Sequence, residues 1–268
     1  MTTFTMRPAV LVALSLSALL TLLGPFVAAL VWKRRTGARW AHFGAGALTF
    51  FVSQIVLRLP WQVPLGLWLG PRLSGNVPAQ IGWAAASALT AALFEEVGRW
   101  VAFRWLVKGA RAPRDGAMFG LGHGGIESTL LVGITLSVSA ALYALVGTGH
   151  GVGLPPEALD KLGSLDLLSA SAGAVERILT IPIHVALSMI VLRCFERGRN
   201  LWLAVAIAGH FALDFLGVLG AHALTGATGS PMMGELAIAP FAALAVFVGW
   251  RLMREDRSSG RSAPGVQE

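Results

Sequence analysis

Apolar residues come in seven long runs along this chain, at about residues 8–32, 40–59, 79–104, 115–147, 167–194, 200–221 and 233–252. Each holds the roughly 20 residues that a helix needs to cross the hydrocarbon of a bilayer. The pattern predicts an all-α fold, a polytopic transmembrane helical bundle of about seven spans. The fourth and fifth runs exceed that length, which predicts tilt or a kink. Residues 60–78 hold four prolines, three glycines and two tryptophans. That stretch reads as too broken to span, lying at the interface or re-entering. The first run stops at Lys33-Arg34-Arg35. It is too long for a signal-peptide core and is expected to persist as a transmembrane helix. Nothing resembles a soluble linker, so residues 1–253 read as a single integral membrane domain. Residues 254–268 read as a polar cytoplasmic tail without fixed structure.

Four of the runs carry ionisable residues in otherwise apolar surroundings: Glu95, Glu96 and Arg99; His123 and Glu127; Glu176, Arg177 and His184; His210 and Asp214. A charge in hydrocarbon costs at least about 2.5–3.5 kcal/mol, so such a set is expected to face inward and meet. Measured from the cytoplasmic helix ends at about 1.5 Å rise per residue, Glu95, His123, His184 and His210 fall at one depth of roughly 13–17 Å. Glu95 with Arg99, His123 with Glu127, and His210 with Asp214 are each four apart and share a helix face. In each His pair the carboxylate can orient the imidazole, directly or through a water. Gly120, Gly122, Gly124 and Gly125 surround His123. They read either as close helix packing or as room for a substrate backbone or water.

Composition sharpens this picture. The 268 residues are 55% hydrophobic and only 13% charged, about half the charge of a soluble domain, with a mean hydropathy of +0.67. The net charge of +7 points to membrane topology and not to nucleic acid, because the basic residues stand at span ends. They follow the first, third, fifth and seventh spans, and the alternate loops are poor in them. The positive-inside rule then places the N-terminus outside and the C-terminus in the cytoplasm of the cell membrane. Arg7 is a mild dissent. Tryptophans 32, 40, 100, 105, 202 and 250 lie near span ends, as an aromatic belt would. The single cysteine, Cys194, excludes an intrachain disulfide. His42, His150 and His222 read as solvated, and Glu176 with Arg177 as a structural pair.

Three imidazoles, His123, His184 and His210, with a carboxylate at one depth match the ligand inventory of zinc. A glutamate beside such a site can act as base on bound water. A desolvated Glu and His can also activate water without metal. Arg99 reads as snorkelling or as pairing with Glu95 or Glu96; with Glu127 it is also a candidate for contacting substrate.

At these residues the chain resembles the YhfC family of intramembrane metalloproteases, through GHGGIE at 122–127 and the pattern Glu176-Arg177 followed by His184. More distantly it is similar to the CAAX-type (CPBP/ABI) and PrsW proteases. Their order of Glu-Glu with Arg, FxxxH and HxxxN/D is matched by Glu95-Glu96 with Arg99, Phe119-xxx-His123, and His210-xxx-Asp214. The arginine falls one residue short of the usual EExxxR spacing, and His184 has no counterpart in that three-motif core. The resemblance spans roughly residues 85–220. It implies peptide-bond hydrolysis in a membrane-anchored or lipidated substrate. Glu95 would be the base, helped by His123 and supported by Glu96, with His210 and Asp214 stabilising the oxyanion or binding metal. Two other classes share such residues. A proton- or ion-coupled transporter uses midplane carboxylates and imidazoles, although no inverted repeat is visible. An inactive immunity or binding protein could keep the same scaffold. Nothing in the pattern specifies an oligomer.

Overall fold

The computed structural model describes residues 4–110, 112–150 and 153–258. The helices, in chain order, are α1 (Pro8–Thr36), α2 (Trp40–Phe50), α3 (Leu59–Leu73), α4 (Val77–Trp105), α5 (Pro113–Glu127), α6 (Ile134–Gly147), α7 (Pro156–Ser164), α8 (Leu167–Glu196), α9 (Leu201–Thr228), α10 (Pro231–Glu235) and α11 (Ala239–Ser258). A π-helical segment, Phe51–Arg58, joins α2 to α3, and another, Ser128–Gly133, joins α5 to α6. No strand occurs among the described residues. Seven helical runs are long and apolar enough to cross a membrane: Pro8–Thr36, Trp40–Leu73, Val77–Trp105, Pro113–Gly147, Leu167–Glu196, Leu201–Thr228 and Pro231–Asp256. The chain is an integral membrane protein of the all-α class.

Local chemistry sets the helix ends. Asn76 Oδ1 accepts from the Ala79 amide at 3.1 Å and starts α4, and Asp166 Oδ1 accepts from the Ser169 amide at 2.7 Å and starts α8. Both are N-caps, which satisfy donors the first turn leaves free. Hydrogen bonds from Ser169 hold the exposed Asp166 carboxyl below the usual carboxylate range. Gly37 and Gly229 close α1 and α9 at φ of 72° and 69°, a left-handed conformation that glycine adopts without strain.

Two expectations change. Residues 59–73 form a helix that continues the second span, although Pro60, Pro64 and Pro71 lie in it. A proline's φ is itself helical, and each ring removes a single backbone donor. The helix therefore persists along this exposed flank, where no residue is buried. At the other end, α11 runs on through Ser258, past the residue where the sequence pattern begins the polar tail. The remainder of that tail, 259–268, lies outside the described residues. The long fourth and fifth runs each contain a feature that can bend a helix: the π segment after Glu127, and Pro182 inside α8.

The molecule is apolar outside and polar within. Leu16, Leu23, Leu67, Val138 and Leu244 are among many large apolar side chains left exposed, whereas Glu96, Arg99 and His123 are fully buried. The central element is α8, the most buried of the spans, with α1, α4, α5, α9 and α11 packed around it. Glycines allow the closest approaches. A Cβ on Gly122 would stand 1.9 Å from the Phe43 carbonyl oxygen, and one on Gly46 would stand 2.0 Å from that of Phe119. A Cβ on Gly120 would meet Val185 Cα at 2.5 Å. These glycines bring α5 into backbone contact with α2 and α8. The packing role accounts for them, and the alternative of space for a substrate does not.

Arg7, the dissenting charge, donates to the carbonyls of Gly163, at 3.1 Å, and Leu165, and so neutralises the end of α7. His42 is buried against Asp115 at 3.3 Å, contrary to its reading as solvated, because the starts of α2 and α5 pack together. His150 and His222 are exposed as expected.

Candidate active site

One helix supplies the hub of the site. On α4, Glu95 and Glu96 point inward and Arg99 lies one turn further on. Glu95 Oε2 lies 2.9 Å from His123 Nε2, 3.9 Å from His184 Nδ1 and 3.9 Å from His210 Nε2. The three imidazoles come from α5, α8 and α9, so four helices converge on one carboxylate oxygen. The shared depth read from helix ends is realised as direct contact. The other oxygen, Oε1, accepts from Gln54 Nε2 at 2.9 Å.

The hydrogen bonds fix orientation. A carboxylate only accepts, so His123 presents an Nε2–H to Glu95, and His210 presents an Nδ1–H to Glu96 Oε1 at 2.6 Å. His210 Nε2 stands 3.5 Å from Asp214 Oδ2. Glu127 does not bond its i−4 neighbour His123. Its Oε2 lies 2.8 Å from His184 Nε2, and its Oε1 accepts from Arg177 at 2.9 Å. The glycine contacts bring α8 close enough to take Glu127, while His123 is taken by α4. Arg177 is also paired with Glu176, as expected of a structural pair. Arg99 does not snorkel. It is completely buried, paired with Glu96, 3.3 Å from Glu95 and 2.8 Å from His184 Nδ1.

Beside this network lies a cavity of about 640 Å³. Glu95, Glu127, His184, His210 and Asp214 line it among apolar side chains such as Phe50, Trp83, Leu131, Leu213 and Ile238. Arg99, Glu96 and His123 stand behind that lining. The cavity is unusually rich in ionisable groups for one inside an apolar bundle, since Arg58, Glu176, Arg177 and Glu235 line it as well.

Three contributors are not marked by the sequence pattern. Gln54 holds Glu95 and is itself held by Arg58, whose Nη1 donates to Gln54 Oε1 at 2.9 Å. Glu235 lines the cavity from α10. Gln54 and Arg58 are four apart in an apolar run, the same signal that marks the other pairs. Gln54 carries no charge and Arg58 sits at the expected end of its span, so neither stands out.

Glu95, His123, Glu127 and His184 each offer one ligand atom within 4.8 Å of the others. Two imidazoles and two nearly buried carboxylates are a donor set that suits zinc, so the residues present fit a metal. The set differs from the three-histidine reading. It keeps His123 and His184, takes Glu95 and Glu127 in addition, and leaves His210 with Glu96 and Asp214.

A model of the YhfC intramembrane metalloprotease family matches residues 19–228. The chain is 32% identical over 219 residues to the "Uncharacterized membrane protein YhfC" of Bacillus subtilis (strain 168), an alignment covering 78% of this chain and 84% of that protein. No solved structure matches. The matched span contains Glu95, Glu96, His123, Glu127, His184, His210 and Asp214, and the chain belongs to the YhfC intramembrane metalloprotease family.

Proposed function

We propose that this protein is an intramembrane endopeptidase that hydrolyses a peptide bond in a membrane-anchored or lipidated substrate. The observation that carries the reading is the meeting of Glu95 with three imidazoles beside a cavity of about 640 Å³. Glu95, oriented by Gln54 and His123, takes a proton from water. The water oxygen bonds to the scissile carbonyl carbon, and the proton passes to the leaving amine as the C–N bond breaks. His210, held through its Nδ1–H by Glu96, faces the cavity with Nε2 and stabilises the developing oxyanion as the imidazolium, donating Nε2–H; Asp214 beside it favours that charged ring. A zinc ion held by His123, His184 and Glu127, with Glu95 beside it left to act as base, would supply Lewis acidity to the water and the carbonyl.

The motif order shared with the CAAX-type proteases supports the same assignment. The cavity lining runs toward the start of α4, the start of α8 and the end of α9, through Trp83, Glu176 and Ala221. By the positive-inside rule those ends face outward, and on that reading the substrate approaches from the non-cytoplasmic side. The test is cleavage of a lipidated peptide by the full chain in liposomes, with and without chelation. Cleavage that stops with chelator and returns with zinc supports the metal form, and indifference supports a metal-free glutamate mechanism. Proton-coupled solute uptake without cleavage would replace the protease reading with a carrier.

A further inference from the structure

Arg99 takes no part in the proposed hydrolysis, yet it sits where a cation is wanted. One guanidinium nitrogen, Nη2, lies 2.8 Å from His184 Nδ1 and 3.3 Å from Glu95 Oε2. Those two residues belong to the four-residue donor set. A guanidinium only donates, so His184 Nδ1 must hold a lone pair and His184 Nε2 must carry the ring proton. His184 Nε2 lies 2.8 Å from Glu127 Oε2, an ion-pair distance, although Glu127 Oε2 accepts no hydrogen bond among the described residues. A neutral imidazole that carries its proton on one nitrogen presents the lone pair of the other to a metal. The nitrogen made ready for a metal is therefore Nδ1, the atom that Arg99 covers. Binding through Nε2 instead would put a proton on Nδ1, facing the donors of Arg99.

We propose that Arg99 is the resident cation of the metal-free site, and that a divalent metal binds only by displacing its guanidinium from His184 Nδ1 and Glu95 Oε2. The inference rests on the metal form of the site and is independent of whether peptide is cleaved. The structure also gives the displaced group a place to go. Arg99 is tethered by Nη1 to Glu96 Oε1. Glu96 Oε2 and Arg99 Nε, both buried, have no hydrogen-bond partner among the described residues. Turning away from His184 lets the two residues form a bidentate pair, the stronger arrangement for guanidinium and carboxylate. Glu96 anchors Arg99 in both states. Metal-free protein then keeps its buried carboxylates neutralised, and loading exchanges one cation for another.

The test uses the full chain, stripped of metal, labelled with 15N-histidine and reconstituted in lipid. The His184 signals are assigned by their loss in His184→Gln. Without zinc, magic-angle-spinning spectra should show Nδ1 unprotonated and Nε2 protonated. On adding zinc, Nδ1 should take the metal-bound shift while Nε2 keeps its proton. In parallel, zinc affinity is measured against a chromophoric chelator for wild type and Arg99→Gln. Losing a charged hydrogen-bond competitor should tighten binding about tenfold or more. Zinc on Nε2, an unchanged His184 signal, or an Arg99→Gln affinity equal to or weaker than wild type overturns the proposal. If Arg99→Gln fails to fold, the wild-type spectra decide alone. Absence of zinc binding to any form sinks the displacement while leaving a metal-free protease standing.

Discussion

Glu95 accepts at both carboxylate oxygens, from Gln54 on one side and from His123 and Arg99 on the other. Glu95→Gln keeps the size but turns a donor toward one of those donors, and it removes the base. Cleavage is expected to fall about 10²–10⁴-fold, the usual loss for a general base, with the bundle still folded by circular dichroism. His123→Ala and His210→Ala are expected to be comparably inactive, because they position the base and face the oxyanion within one unit. Arg35→Ala, at the end of α1, should leave activity unchanged. Gln54→Leu leaves Glu95 Oε1 without its donor, which should lower stability by about 1–3 kcal/mol, read by denaturation in detergent. Most residues of this site are legible in the sequence as ionisable side chains within apolar runs. The partner of each imidazole is less legible. Spacing along one helix pairs His123 with Glu127, and only the packing of α4 and α8 against α5 shows that Glu95 takes His123 and Glu127 takes His184.

Among the elements, α5 depends most on its small residues. Gly46 and Gly122 place the backbones of α2 and α5 so close that a methyl group would enter a carbonyl oxygen. Gly46→Ala and Gly122→Ala should each destabilise the protein by at least about 1–3 kcal/mol, the usual range for overpacking, and should displace His123 and lower activity. Gly44, where a Cβ meets nothing within 4 Å, is the control. Gly44→Ala should be neutral or slightly stabilising in thermal unfolding, as alanine favours the helix. The seven apolar runs follow from hydropathy alone. The π segments do not, because runs that are apolar on nearly every face carry no clear period for an extra residue per turn to shift. The segment Phe51–Arg58 nevertheless carries both Gln54 and Arg58 inward to the site.

For the whole molecule, the loop charges predict a cytoplasmic C-terminus. Reporter fusions after Arg254 should be active only with a cytoplasmic reporter, and an extracytoplasmic signal there would contradict the proposed topology. Arg7, which donates to the carbonyls of Gly163 and Leu165, is a single charge against the basic clusters that follow the first, third, fifth and seventh spans. The convergence of four helices is legible as a shared depth, because a charge inside a bilayer has few places to go except toward another. The cavity is not legible, because Glu235 reaches it from the short α10 after a chain reversal at Gly229. Water activation at Glu95 is the central claim, and isotope labelling tests it most directly. The full chain in liposomes is given a lipidated peptide in water enriched in oxygen-18, and the products are weighed by mass spectrometry. One heavy oxygen in the new carboxylate from wild type, with no product from Glu95→Gln, is the result predicted. Labelled product from Glu95→Gln at the wild-type rate would contradict the account.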